Sequence, residues 1–178
     1  MISVTRRLEF DAGHRIPDHR SQCRNLHGHR YVLELTLTGD VVQAPGQSDN
    51  GMVMDFSDIK HIAKTHLVDI WDHAFLVYEG DAAVRDFLAS LPDHKTVILD
   101  RIPTAENLAA VIFGILAPTI RTPTGTISGC LASVCLKPPI AGRIATVTKR
   151  RPLARGLFSG EAAARCVPLP RVRPACPA

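Results

Sequence analysis

From Tyr31 to Thr38 the chain alternates with a period of two. Tyr31, Leu33, Leu35 and Leu37 fall on one parity, with Glu34, Thr36 and Thr38 on the other. Side chains two apart share a face of a β-strand, so residues 30–39 read as a strand with one face in a core. His27 and His29 carry the apolar parity upstream. If they open this strand, both imidazoles lie on the face that continues into Tyr31, Leu33 and Leu35. Residues 2–12 repeat the pattern, with Ile2, Val4, Leu8 and Phe10 set against Ser3, Thr5, Glu9 and Asp11. There Phe10, Ala12 and His14 share a side. Two adjacent strands of this kind bring three imidazoles together and leave a coordination position open. That is the pattern of a catalytic zinc rather than a closed structural one. Unrelated histidines at strand ends remain the alternative on this evidence.

The rest of the chain supplies helices. Pro45-Gly46 and Asp49-Asn50-Gly51 mark a turn region. Asp55 reads as the N-cap of a helix running to about Trp71, with Phe56, Ile59, Ala63, Leu67 and Ile70 as its apolar stripe. A second helix follows Ile102-Pro103, with Thr104 as cap and Glu106 in its first turn. Leu108, Val111, Ile112, Ile115 and Leu116 give its buried face. Thr96–Leu99 fits a strand or an extended lead-in, and residues 126–136 fit a last strand. The expected class is α+β, one domain with a core of its own.

Charge divides the chain unevenly. The net charge of +4 conceals 12 Lys/Arg against 16 Asp/Glu in residues 1–136, and nine Lys/Arg against one acid, Glu161, from Lys137 onward. The basic character belongs to the last stretch, so nucleic-acid binding is not expected. No apolar run reaches the roughly 20 residues that span a bilayer, so no membrane association is expected. The first residues show no leader-like apolar region, which makes a cytoplasmic location the default. Five cysteines without a CxxC pair argue against a disulfide framework.

Four motifs occur in order: Phe10-Asp11-Ala12-Gly13-His14, the run from Cys23 to His27-Gly28-His29, Trp71-Asp72-His73, and Pro103-Thr104-Ala105-Glu106-Asn107. Together they resemble the 6-pyruvoyl-tetrahydropterin synthase / QueD family of T-fold enzymes, over about residues 2–117. The short spacing from Cys23 to His27 resembles the 6-carboxy-5,6,7,8-tetrahydropterin synthase branch. The resemblance implies a small antiparallel sheet backed by two helices, assembled as a homo-oligomeric barrel, commonly a hexamer, with active sites between subunits. It implies Zn2+ on His14, His27 and His29, Cys23 as catalytic thiol, and Asp72 and His73 as an acid–base pair. Thr104 and Glu106 would line the pterin pocket. The substrate would be 7,8-dihydroneopterin triphosphate, converted to 6-carboxytetrahydropterin with release of acetaldehyde and triphosphate, for synthesis of queuosine and related 7-deazaguanines. Zinc would acidify hydroxyls of the substrate's side chain. Arg15, Arg20 and Arg24 are candidate cations for the triphosphate by position. His19, His61, His66 and His94 read as solvated.

The resemblance breaks at the end of the chain. Family members carry a Glu after the final strand that anchors the pterin's amino-pyrimidine edge through paired hydrogen bonds. Here the sequence runs from Val134-Cys135-Leu136-Lys137 to Thr146 without a Glu. Residues 1–136 are read as the T-fold domain, and residues 137–178 as an atypical basic, Pro/Arg-rich tail that is disordered and frameshift-derived. A shifted reading of its codons can give an ending like the family's. Two alternatives therefore stand beside the carboxy-synthase reading: a 6-pyruvoyl-tetrahydropterin synthase, or a zinc- and pterin-binding T-fold protein with impaired catalysis.

Overall fold

The computed structural model describes residues 2–120, together with the backbone of the strands Ile127–Lys137 and Arg143–Val147. Its centre is an antiparallel pair, β1 (Ile2–His14) and β2 (His27–Gly39), matched from Ile2 opposite Gly39 to His14 opposite His27. Both strands run slightly further than their alternation alone indicated, taking in His14 and the His27-Gly28-His29 run. Phe10 faces Tyr31, Leu8 faces Leu33 and Val4 faces Leu37 across the pair. This parity forms the core face. The opposite parity is polar, with hydroxyl pairs Ser3–Thr38 and Thr5–Thr36 each at 2.9 Å.

Two further strands, β3 (Ala74–Tyr78) and β4 (Thr96–Leu99), extend one side of the sheet; β5 (Ile127–Lys137) and β6 (Arg143–Val147) extend the other. The order is β4-β3-β1-β2-β5-β6. In the run β1-β2-β5-β6 each strand is antiparallel to its neighbour, whereas β3 joins β1 and β4 joins β3 in parallel. The expected antiparallel sheet therefore gains a parallel wing. Its connections explain why: parallel neighbours need a crossover, and helices fill both crossovers. β3 had no sequence signal because Leu76 and Val77 are both buried, one on each face, so its five residues do not alternate.

Helical segments cover the core face. Asp55 caps α1 (Phe56–Ala63) by accepting a hydrogen bond from Ser57 N at 2.7 Å. The helix continues through a π turn, Lys64–Val68, into a last α turn, α2 (Asp69–Trp71). Ile59, Ala63, Leu67 and Trp71, four residues apart, are all buried. Phe56, expected on that stripe, instead stands 47% exposed, and Ile70 is only partly buried. α4 (Ala105–Leu116), capped by Thr104, buries Leu108, Ala109, Ile112 and Leu116 on the same core. Each fully buried Leu or Ile contributes about 1.5–3 kcal/mol.

An unanticipated helix, α3 (Ala82–Ala89), packs Val84 and Leu88 against Val77 and Phe75 on the other face. Asp81, buried just before α3, accepts two hydrogen bonds of 2.5 Å from Arg15, directly after β1. The pair fastens α3 to the end of the central strand. The expected tail over 137–178 lies outside the described residues except for Lys137 and Arg143–Val147, which are strand. Among the described residues no helix is long and apolar enough to cross a membrane.

Gly13 shows how closely β3 approaches β1. A Cβ there would lie 2.5 Å from Cδ2 of Phe75, too near for the ring to stay in place. Gly13→Ala is expected to destabilise the fold by about 1–3 kcal/mol in urea denaturation. Adding Phe75→Leu should restore most of that loss. A Gly13→Ala chain as stable as the parent would show that the ring is not wedged against the strand.

Candidate functional site

The β1–β2 register assembles the first cluster. His14 stands opposite His27, and His29 opposite Ala12, so all three imidazoles share the core face at the end of the pair. Ring centroids are 4.5 Å apart for His14–His27, 5.2 Å for His14–His29 and 4.8 Å for His27–His29. One ligand atom from each lies within 4.8 Å of the others, and among the described residues no other His/Cys/Asp/Glu group is so placed. Tyr31 packs edge-on beneath, 6.1 Å from His14 and 6.2 Å from His29, and stacks on Phe10 at 5.1 Å.

Hydrogen bonds fix which nitrogens face inward. His14 Nδ1 donates to the carbonyl of Pro103 at 2.8 Å, and His27 Nδ1 donates to that of Asn25 at 2.7 Å. A carbonyl only accepts, so in the neutral rings the proton sits on Nδ1 and the lone pair on Nε2. His14 is 2% exposed, and its Nε2 is buried without a partner among the described residues. A buried acceptor left open amid two other imidazoles fits a metal ion, with carbonyls behind the ligands as usual for such sites. The donor set, three imidazole nitrogens, suits Zn2+. Pro103 and Asn25 were invisible in the sequence because both act through backbone oxygens.

Burial, with a smaller push from His27 and His29, lowers the His14 pKa from 6.5 to about 4, against the opposing pull of the Pro103 carbonyl. Burial likewise lowers that of His29. Both shifts favour the neutral, metal-ligating form of His14 and His29.

Cys23, a partly exposed free thiol, sits in a short 3-10 turn (Gln22–Arg24) on the loop joining His14 to His27. Its carbonyl accepts from Ile16 N–H at 2.8 Å, closing that loop two residues after His14.

The Asp72–His73 pair lies elsewhere. Asp72 accepts from Asp11 N–H at 2.9 Å through Oδ1, and its Oδ2 is 2.9 Å from His73 Nδ1. His73 N–H in turn donates to Asp11 O at 2.7 Å. Asp11 and Arg30 face each other across the strands, on the parity opposite the histidines, in a bidentate pair at 3.0 and 2.9 Å. The Asp11 backbone N–H, more than His73, holds the Asp72 carboxyl below the usual range, and Arg30 does the same for Asp11. His73, 78% exposed, has a left-handed backbone, φ 59°. It borders a shallow cleft of about 300 Å³ with Asp11, Gly13, Phe75 and His94. Within one chain, the imidazole cluster and this pair thus occupy opposite faces of β1.

Other expectations fare differently. Arg15 is tied to Asp81, which leaves it a strut rather than a free cation for phosphate, while Arg20 and Arg24 are exposed. Thr104 caps α4 by accepting from Asn107 N at 3.3 Å, and Glu106 is exposed in the first turn. Their neighbour Pro103 is the residue that touches the cluster. His94, read as solvated, bonds Thr96 Oγ1 at 2.8 Å and lines the cleft beside His73.

Comparison with known proteins matches residues 3–134 to the family described as 6-pyruvoyl tetrahydropterin synthase. A relative from Rickettsia bellii named 6-carboxy-5,6,7,8-tetrahydropterin synthase is 44% identical over 109 residues, 61% of this chain and 75% of that protein. One of the same name from Haemophilus influenzae is 34% identical over 116 residues, 64% of this chain and 80% of that protein. Among solved structures, a 6-pyruvoyl tetrahydropterin synthase from Plasmodium falciparum superposes with a TM-score of 0.58 at 19% identity, covering 83% of this chain and 99% of that one. An uncharacterized protein from Wolinella succinogenes gives 0.60 at 19% identity, covering 82% and 97%. These two likenesses establish the T-fold.

Proton linkage gives a test of the cluster's burial. In metal-free protein, the unfolded chain binds protons at His14 and His29 near pH 6.5, whereas folded His14 resists them down to about 4. Stability should be full above that window and fall as the pH drops through it, by up to about 1.4 kcal/mol per pH unit from His14, with His29 acting in the same direction. Urea midpoints at about pH 7.5 and about pH 5 measure this. A midpoint unchanged between them, once saturating zinc is removed, would contradict the lowered His14 pKa.

Proposed function

The chain belongs to the 6-pyruvoyl tetrahydropterin synthase family, and from that premise we propose that it is a zinc-dependent 6-carboxy-5,6,7,8-tetrahydropterin synthase. It would convert 7,8-dihydroneopterin triphosphate to 6-carboxytetrahydropterin, acetaldehyde and triphosphate, a step towards queuosine and related 7-deazaguanines. The observation that carries the reading is the three-imidazole cluster, with the tautomers of His14 and His27 set by Pro103 and Asn25. The choice of the carboxy branch is supported by the relatives of that name at 34–44% identity.

In this reading His14, His27 and His29 hold Zn2+ through their inward nitrogens, and the ion supplies Lewis acidity towards hydroxyls of the substrate's side chain. Cys23 Sγ takes a proton from that side chain. His73 carries the second proton transfer at Nε2, which its Nδ1 bond to Asp72 leaves free. Thr104 and Glu106 are assigned to the pterin pocket.

The opposed faces of β1 bear on assembly. A dyad on the face away from the metal cluster cannot serve it within one chain, so each site draws Cys23 and the three histidines from one copy and Asp72 and His73 from another. A homo-oligomer follows, a hexamer by family resemblance. The missing Glu after β5 favours one second reading, a zinc- and pterin-binding protein with weakened turnover, because the pterin ring loses its paired carboxylate contact.

Zinc-loaded protein given dihydroneopterin triphosphate should release acetaldehyde and triphosphate together. Triphosphate without acetaldehyde would instead support a pyruvoyl synthase, and zinc binding with neither product the impaired protein. Cys23→Ala and His73→Asn should each lower turnover by about 100-fold or more. Co-expressed in one oligomer, the two inactive variants should recover part of the parent's activity. Complete absence of recovery in demonstrably mixed oligomers would refute the shared site.

A further inference from the structure

The turn that presents His73 is held by a residue on another element. Lys95, immediately before β4, reaches back across β3 to the end of the helical segment. Its Nζ donates to Asp72 O at 2.6 Å and to Asp69 O at 2.9 Å. Its own carbonyl accepts from Phe75 N at 2.9 Å, which anchors its backbone two residues past His73. The peptide joining Asp72 to His73 is therefore gripped at both ends: the carbonyl by Lys95 Nζ, the N–H by Asp11 O at 2.7 Å.

This grip bears on a backbone that resists its own geometry. His73 has φ 59°, a left-handed conformation that a residue with a Cβ adopts only when its surroundings impose it. Rotating the Asp72–His73 peptide would relieve φ but would break the bond to Lys95, the bond to Asp11, or both. The peptide also ends a helix, where carbonyl oxygens lack intrahelical partners and an ammonium is well placed to satisfy them. With the peptide fixed, the two side chains on either side of it can meet, and Asp72 Oδ2 reaches His73 Nδ1.

We propose that Lys95 is a positioning residue for the acid–base pair: by clamping the carbonyls of Asp69 and Asp72 it holds His73 in its left-handed turn, with Nδ1 on Asp72 and Nε2 free for proton transfer. The catalytic part of this inference rests on the proposed function; the structural part does not.

The test uses full-length zinc-loaded protein with 15N-labelled histidine, as the parent, Lys95→Met and Lys95→Arg. Nitrogen shifts of the His73 ring report its tautomer, and steady-state kinetics report kcat and KM separately. In the parent, the bond to Asp72 should keep the neutral ring protonated at Nδ1. Lys95→Met, which keeps the aliphatic stem but no donor, should shift the ring towards the Nε2-protonated form and lower kcat by about tenfold or more, with KM and zinc content unchanged. Lys95→Arg should recover both signals in part. A Lys95→Met chain with the parent's His73 tautomer and kcat overturns the proposal, as does a loss that tracks zinc content. If Lys95→Met does not fold, Lys95→Gln replaces it, and an unchanged tautomer there overturns it equally. A shifted tautomer in a protein whose parent does not turn over the pterin upholds the clamp and refutes the enzymatic reading instead.

Discussion

Everything described depends on the long antiparallel match between β1 and β2. Because side chains alternate, one residue of slip would turn Phe10, Tyr31, Leu33 and Leu35 out of the core and carry the three histidines with them. Core and metal cluster are one face of one ladder, so the hydrophobic energy that fixes the register also fixes the imidazoles. No separate device is needed to choose which side of the sheet the histidines take. The cluster needs only its final adjustment, ring rotation and tautomer, and two backbone carbonyls provide that.

The opposite face of the same strands has a different physical character. Around His14 the surroundings are dry, and burial disfavours charge on its ring. Around Asp11, Arg30, Asp72 and His73 the groups are solvated and paired, and the carboxylates stay ionised. A single sheet separates a nitrogen cluster suited to a cation from a charged, accessible pair suited to moving protons. Copies of the chain packed with unlike faces towards each other would unite the two environments without either compromising the other.

Much of this was legible in the sequence, and the residues themselves show where legibility ended. The period of two gave β1, β2 and the shared parity of His14, His27 and His29; the caps Asp55 and Thr104 gave both principal helices. Motif order supplied the family and, with it, Asp72 and His73, which spacing alone would have left as a helix end. β3 escaped because burial on both faces erases alternation, and α3 because its eight residues carry only Val84 and Leu88 inward. Arg15 read as a free cation because its partner Asp81 is 66 residues away. Pro103, Asn25 and Lys95 could not be found at all: two work through backbone atoms whose direction only the fold sets, and the third grips carbonyls remote in sequence. The last stretch of chain, where the family's Glu is missing, lies largely beyond the described residues.

The π turn at Lys64–Val68 has a consequence for how this scaffold can change. A wider turn accommodates one more residue per revolution than the helix around it, which is how Ile59, Ala63, Leu67 and Trp71 keep facing inward at four-residue intervals. An ordinary α-helix would drift progressively off the core over that spacing. The turn therefore acts as a phase shift between the start of the helix, bound to the core by α1, and its end, where Trp71 packs and Asp72 emerges beside Asp11. Such a shift is quantised. Gaining or losing a residue there would rotate Asp72 and His73 by a whole step about the helix axis, so the proton-transfer pair can be kept or lost through this segment but not finely tuned by it.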